Sequence, residues 1–142
     1  EIGADYAVVH RIDDWDKEVK KIVKEISKQK SKSGIDVIYE HIGGSHWNKE
    51  LSLLKYGKTL VTTGATTGYD VRTDLRHIFF KGLNVVGSTQ GTRSELESGL
   101  YWMSQGKIKS VVDSIFSLED ASTAHQKMLS GKDLFGKILM KP

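Results

Sequence analysis

Segments with a strand pattern alternate with segments with a helix pattern along the chain, and this alternation limits the fold more than any other feature. Short runs rich in β-branched and aromatic residues are each followed by apolar residues at three- and four-residue spacing. The predicted strands are residues 6–10, 35–40, 59–63, 83–87, 110–116 and 137–141. Such alternation is typical of right-handed βαβ crossovers, so we expect an α/β fold with a mostly parallel sheet and helices on both faces.

Capping signals predict where the helices begin and end. Side chains suited to capping precede four predicted helices: Asp13 or Asp14, Ser45, Thr92 with Glu95, and Ser117 with Asp120. Glycines that suit helix ends follow at Gly57, Gly106 and Gly131. The first helix carries an apolar stripe at helical spacing on Trp15, Val19, Ile22 and Ile26.

Composition narrows the class of protein. With 142 residues the chain has the length of about one domain, and we assign residues 1–142 to it. The absence of cysteine excludes disulfides, iron–sulfur clusters, thiolate zinc sites and a cysteine nucleophile. No apolar run approaches the ~18 residues of a membrane span and no secretory leader is evident, so we expect no membrane contact and a cytoplasmic location.

Much of the positive charge lies in one stretch, KEVKKIVKEISKQKSK, at residues 17–32. The net charge of the chain is +3 and its pI is about 9.0. A basic helix of this kind is able to follow a nucleic acid backbone, but this one also carries Glu18 and Glu25 and has no interleaved aromatic residues. We therefore favour a solvated helix face and expect no nucleic acid partner.

Glycine-rich loops follow three of the predicted strands. They are EHIGG at residues 40–44, TGATTG at residues 63–68 and GSTQG at residues 87–91. Ligands of open parallel sheets bind beyond the carboxyl ends of the strands, and glycine permits close approach to the backbone. Each loop alone is better explained by ordinary turn chemistry, whereas three in succession predict the rim of a ligand site.

Other site signals are weak or missing. The phosphate-binding pattern G-x-G-x-x-G does not occur, and no G-x-S-x-G motif supports a serine nucleophile. His41 and His46, with Glu40 beside them, are candidates for metal ligands or bases, but no fixed H-E-x-x-H spacing supports them. We assign no metal ligand and no catalytic side chain within the chain.

The strand and loop sequences resemble the carboxyl-terminal portion of the medium-chain dehydrogenase/reductase family. The resemblance extends over GADYAVVH, GIDVIYEHIGG, YGKTLVTTGATTG and FFKGLNVVGSTQGTRSELE, and through GKIKSVVDSIF to the final GKILMKP. It implies a partial Rossmann-type, doubly wound domain that lacks the first two strands. It further implies that a hydride passes between a nicotinamide coenzyme and a small-molecule carbonyl, alcohol or activated alkene. The coenzyme implied is NADP or NAD, with NADP slightly favoured.

The same resemblance implies which residues meet the coenzyme. They are Ile42, Gly43, Thr63, Gly64, Ala65, Val86, Gly87, Ser88 and Lys137. The glycine-rich phosphate loop, the substrate domain and any zinc ligands are implied to lie upstream. This chain alone is therefore expected neither to reduce substrates nor to hold coenzyme tightly.

The resemblance also implies a homodimer in which residues 83–87, LNVVG, pair with a second copy and extend the sheet. A different class of function stays open at this point. An α/β unit without a phosphate loop is also compatible with an interaction module that pairs through its sheet edge and binds no nucleotide.

Overall fold

A computed structural model describes residues 3–10, 13–27 and 33–142 of the chain. The elements are α1 (Trp15–Ile26), β1 (Ile35–Glu40), α2 (Trp47–Leu53), β2 (Leu54–Thr62), α3 (Leu75–Lys81), β3 (Asn84–Gly87), α4 (Arg93–Ser104), β4 (Val112–Ser117), α5 (Ala121–Ser130) and β5 (Lys137–Lys141). Residues 28–32 of the lysine-rich stretch lie outside the described residues. None of the helices described is long and apolar enough to cross a bilayer.

The strands form two parallel sheets. One contains β1, β2 and β3 in that order, and the other contains β4 and β5. The chain divides into two compact units, Glu1–Thr89 and Gln90–Pro142, each with one of the sheets. Parallel strands alternating with helices confirm the predicted α/β, Rossmann-like class. The single domain assigned to residues 1–142 stays a prediction.

The core of the first unit forms where α2 and α3 pack against the sheet. Four leucines are buried there, with three half-buried apolar side chains packed against them: Leu51, Leu54, Leu60 and Leu83, with Ile38, Trp47 and Ile78. Lys81, at the end of α3, strengthens this packing because its Nζ donates to the carbonyl oxygens of Ser52 at 2.8 Å and Leu54 at 2.9 Å. The lysine thus satisfies carbonyl groups at the carboxyl-terminal end of α2, where a helix leaves them without partners of its own.

Two sequence predictions in the first unit are wrong. Residues 6–10 form no strand, and among the described residues they pair with none; Tyr6 and Val9 are exposed. A strand needs a partner for its backbone groups, and its apolar pattern alone does not supply one. Gly57 does not end a helix but lies within β2, with a φ of +70°. It lies where the pairing of β1 with β2 is irregular, opposite the segment from Ile35 to Val37.

The predicted caps differ in outcome. The Thr92 and Glu95 capping box is confirmed at the start of α4. Asp14 precedes α1 but makes no side-chain cap bond, and helix α2 begins after His46, one residue later than Ser45 predicts. The Ser45 hydroxyl instead bonds to Nδ1 of His46 at 2.7 Å.

The second unit is held together around Asp113 of β4. Its side chain accepts hydrogen bonds from Lys127 Nζ on α5, from Ser114 Oγ at 2.7 Å and from the Phe135 amide at 3.0 Å. These donors, chiefly Lys127, lower the pKa of Asp113 to about 2. The charged side chain therefore joins a strand, a helix and the turn before β5.

Candidate functional site

The loops after β1 and β2 lie against each other at the carboxyl end of the first sheet. The amide and hydroxyl of Thr63 both donate to the Glu40 carbonyl, at 2.8 and 3.2 Å. Farther along, Thr66 Oγ1 donates to the His41 carbonyl at 2.9 Å. Thr67 donates to the Ile42 carbonyl through its amide at 2.8 Å and its hydroxyl at 2.9 Å. The threonines of TGATTG therefore dock one loop onto the other.

Gly43 is the point of closest approach between these loops. Its φ of +75° lies in the left-handed region that favours glycine. A Cβ at this position would lie 2.6 Å from the Gly68 carbonyl oxygen and 3.1 Å from Ala65 Cα. The neighbouring amide of Gly44 donates to that same Gly68 oxygen at 3.0 Å. Only a residue without a side chain fits this junction.

Glu40, the last residue of β1, lies beneath the junction and is only 2% exposed. Its Oε1 accepts hydrogen bonds from the amides of Ile42 and Gly43. Its Oε2 accepts a third from the Thr62 hydroxyl at 3.0 Å. The amide hydrogens of Ile42 and Gly43 are therefore used within the protein and are not available to a ligand.

The end of β3 completes the rim. The Ser88 amide donates to the Thr62 carbonyl at 2.9 Å, and Thr62 is paired with Gly87 in the sheet. Val86, Gly87 and Ser88 are exposed. The structure thus brings together the predicted residues of the first unit: Ile42, Gly43, Thr63, Gly64, Ala65, Val86, Gly87 and Ser88. Lys137 is exposed at the start of β5, in the second unit.

Two backbone donors of the loop after β2 are free. The amides of Gly64 and Ala65 are in exposed residues and have no acceptor among the described residues. A planar amide-bearing ligand needs such donors and close backbone access, and the glycine junction beside them supplies the access. These donors and this access suit a planar ligand that carries a hydrogen-bond acceptor.

A buried cluster of titratable side chains lies close to the rim. His46 stacks on Trp15 with ring centroids 4.9 Å apart, and both His46 and Glu50 are only 8% exposed. Among the described residues, His46 Nε2 and Glu50 Oε2 are buried without a hydrogen-bond partner. Burial, followed by the charge of Glu40, raises the pKa of Glu50 to about 7, while burial and His10 lower the pKa of His46.

These groups do not form a metal site in the part of the chain that is described. No three histidine, aspartate or glutamate side chains there are arranged to hold an ion. Glu40, which sequence analysis considered only beside His41 and His46, acts instead on the backbone of its own loop. Its sequence signal is an acidic residue that ends a strand directly before a glycine turn.

A cavity of about 640 Å³ lies at the opposite, amino-terminal end of β2. Three of its lysines pair with carboxylates: Lys55 and Lys58 with Asp36 at 2.6 and 3.0 Å, and Lys20 with Asp16 at 3.0 Å. Ligands of parallel sheets bind at the other end of the strands. We therefore place the candidate site at the rim and not in this cavity.

The chain is similar to known dehydrogenases over almost its whole length. A family model described as zinc-binding dehydrogenase matches residues 2–140. A quinone oxidoreductase of Pongo abelii is 28% identical over an alignment of 122 residues that covers 83% of this chain and 37% of that protein. The crystal structure of an NAD-dependent alcohol dehydrogenase matches with a TM-score of 0.80 and 28% identity, over 99% of this chain and 38% of that one.

A more distant structure shares the fold. A 2-octenoyl-CoA carboxylase reductase, solved in complex with NADP and 2-octenoyl-CoA, has a TM-score of 0.75 and 22% identity over 89% of this chain and 27% of that one. The chain spans well under half the length of each of these proteins. The matched family model and the Rossmann-like sheets together show that this chain belongs to the zinc-binding dehydrogenases of the medium-chain dehydrogenase/reductase family, as a carboxyl-terminal portion of the coenzyme domain.

Proposed function

We propose that this chain is the nicotinamide-binding portion of an NAD(P)H-dependent oxidoreductase. The observation that supports it most is the rim at the carboxyl end of β1, β2 and β3, where the Gly64 and Ala65 amides are free and exposed. In this proposal the two amides bind the carboxamide, and the backbone around Gly43 and Gly87 lies against the ring. Thr63 and Ser88 hold the second and third loops in place.

The reaction requires no proton-transferring side chain from these residues. When bound, the reduced nicotinamide supplies a hydride, a proton with two electrons, to a carbonyl or an activated alkene such as a quinone or enone. The rim contributes by orientation, because fixing a reactant in one attack geometry removes much of the entropic barrier. Lys137 is proposed as a further coenzyme contact, on the resemblance alone.

The substrate and the metal belong to the proposal for the whole enzyme. Quinone and alcohol chemistry are the activities named for the relatives that this chain matches at 28% identity. Any zinc would be bound by residues outside this chain. Because the resemblance assigns the phosphate loop to another part of the enzyme, we expect the isolated chain to be inactive and to bind NADPH or NADH weakly.

Weak binding is testable by titrating NADPH and NADH into the ¹⁵N-labelled chain and following amide chemical shifts. We expect the largest changes at Gly64, Ala65 and Ser88, because these amides lie at the exposed rim. Adenosine 2′,5′-bisphosphate is the matched control ligand, since it keeps the adenosine phosphates of NADPH and lacks the nicotinamide.

The control ligand should leave the rim amides unmoved. If NADPH and NADH also leave them unmoved at millimolar concentration, the coenzyme proposal fails for this chain, and the interaction module becomes the better hypothesis. Equal shifts with the bisphosphate would also contradict it, because they would show binding through the phosphates and not through the nicotinamide.

We further propose a homodimer through residues 83–87. Strand β3 is an edge of the three-stranded sheet, and Val85 and Val86 are 39% and 47% exposed. Leu83 is buried in the core and holds the strand in place, so the outer side of β3 is left to meet a second copy. Unpaired edge strands of apolar character favour such pairing.

The Val85→Lys variant tests the dimer, because two-fold pairing would bring like charges together at the edge. Sedimentation over a wide concentration range should give a dimer for the unmodified chain and a monomer for the variant. A monomer in both cases would contradict the proposed interface, as would a dimer that persists in the variant. Circular dichroism should confirm that the variant keeps its secondary structure.

A further inference from the structure

We propose that Glu40 is the positioning residue of the coenzyme rim, an inference that rests on the proposed function. Its carboxylate takes the amide hydrogens of Ile42 and Gly43 and so determines the direction in which the loop after β1 leaves the sheet. This role of Glu40 follows from the contacts of its buried carboxylate.

Glu40 is almost completely buried. A carboxylate that is 2% exposed is costly unless hydrogen bonds replace its lost water. Here both oxygens are occupied, by the two loop amides and by the Thr62 hydroxyl at 3.0 Å. Hydrogen bonds to a charged acceptor are stronger than neutral ones, so this arrangement holds the loop firmly.

The loop that Glu40 holds is bonded in turn to the loop after β2. With its amide bonded to Glu40, Ile42 has its carbonyl on the side where both donors of Thr67 reach it, at 2.8 and 2.9 Å. The Glu40 carbonyl is at the same time the acceptor of Thr63, directly before Gly64. One residue therefore sets both ends of the segment that carries the free Gly64 and Ala65 amides.

A positioning role for Glu40 makes different demands on the side chain than a packing role does. A residue that served only to fill space could be replaced by another of similar volume. A positioning acceptor requires oxygen atoms at the same place. Methionine and glutamine, both close in size to glutamate, differ in this respect, because only glutamine keeps an oxygen that can accept from the two loop amides.

The experiment compares Glu40→Met and Glu40→Gln with the unmodified chain. The control is Asp36→Asn, which removes a carboxylate from the same strand at its exposed, opposite end, where Asp36 pairs with Lys55. The readouts are hydrogen exchange at the Ile42 and Gly43 amides and the dissociation constant for NADPH or reduced nicotinamide mononucleotide, taken from amide shifts. The thermal midpoint is recorded for every variant.

We expect Glu40→Met to speed exchange at both amides by about tenfold or more, as for one lost hydrogen bond, and to weaken coenzyme binding by a similar factor. Glu40→Gln should restore most of both effects, and Asp36→Asn should change neither. The inference is overturned if Glu40→Met leaves hydrogen exchange at Ile42 and Gly43 unchanged. It is overturned equally if Glu40→Met speeds exchange while a measurable coenzyme affinity stays the same. It is also overturned if Gln restores nothing.

The two proposals fail in different ways. Should the unmodified chain bind no nicotinamide ligand, the proposed function fails, and hydrogen exchange alone decides whether Glu40 sets the loop. If Glu40→Met fails to fold, the Gln variant decides instead: slow exchange at Ile42 and Gly43 supports the inference, and rapid exchange in a folded Gln variant contradicts it.

Discussion

Replacing Glu50 with glutamine is expected to stabilise the protein above neutral pH and to leave its stability in acid nearly unchanged. Glu50 is 8% exposed, and burial with the charge of Glu40 raises its pKa to about 7 from the ordinary 4.5. The folded state therefore holds a proton that the unfolded state releases. Stability from this proton is complete below the unfolded pKa and is lost as the pH rises through about 7.

The size of the effect follows from the shift in pKa. Each unit corresponds to about 1.4 kcal/mol, so ionising Glu50 in place costs on the order of 3 kcal/mol of unfolding free energy above about pH 8. Glutamine has the same shape and carries no charge. The variant should accordingly be more stable than the unmodified protein at about pH 8, by up to this amount.

Urea denaturation over a series of pH values measures the difference. The matched control is Glu18→Gln, the same chemical change at an exposed position of α1, which should not alter the pH dependence. Two other ionisable side chains lie near Glu50: Glu40 faces it from β1, and His46 lies one turn earlier, directly before α2. Parallel curves for the unmodified protein and the Glu50 variant would show that Glu50 does not carry the pH dependence.

Substituting alanine for Gly43 is the change expected to damage the rim most. The left-handed φ of +75° costs an alanine about 1–2 kcal/mol. The Cβ would also lie 2.6 Å from the Gly68 carbonyl oxygen, an overlap whose relief costs a further ~1–3 kcal/mol. The loops must separate, which removes the bond between the Gly44 amide and Gly68 and displaces Ala65 from its place.

Two other glycines serve as matched controls. Gly68 also has a positive φ, +131°, but a Cβ there meets nothing within 4 Å, so Gly68→Ala measures backbone strain without overlap. Gly99 lies in helix α4 with open space around it, and alanine there should be neutral or stabilising by about 0.5–1 kcal/mol.

The measurements are the unfolding free energy and the coenzyme-induced shifts at Gly64 and Ala65. Gly43→Ala should lose more stability than Gly68→Ala and should lose the shifts as well. If the two variants are destabilised equally, the close approach of Gly43 to the second loop is wrong. Retained shifts in Gly43→Ala would mean that the junction does not shape the ligand site.

Local sequence signals were sufficient for most helices and strands. Strand β5 has the predicted bounds, and the capping box of Thr92 and Glu95 starts helix α4 where it was expected. These features depend on residues close together in the chain, so spacing and capping chemistry are enough to predict them. The sequence also predicted the rim in outline, because each glycine-rich loop follows a strand and the carboxyl ends of parallel strands meet at one edge of the sheet.

Nonlocal contacts account for what the sequence did not predict. Residues 6–10 have a strand pattern without a partner strand, and Gly57 lies in a strand because the pairing of β1 with β2 is irregular there. The coenzyme contact that the resemblance implied for Ile42 and Gly43 cannot use their amide hydrogens, because Glu40 has already taken them.

By itself, the amino-acid sequence determined the α/β class, the order of the helices and strands from α1 onward, and the glycine loops at the strand ends. Periodicity, caps and turn residues act over a few neighbouring positions, and the chain carries all of them. Only the tertiary structure decided which backbone amides of the rim are free, because that depends on a buried carboxylate and on threonines that meet across 22 to 25 residues of chain. Hydrogen bonds between distant residues follow from packing, which no local pattern encodes.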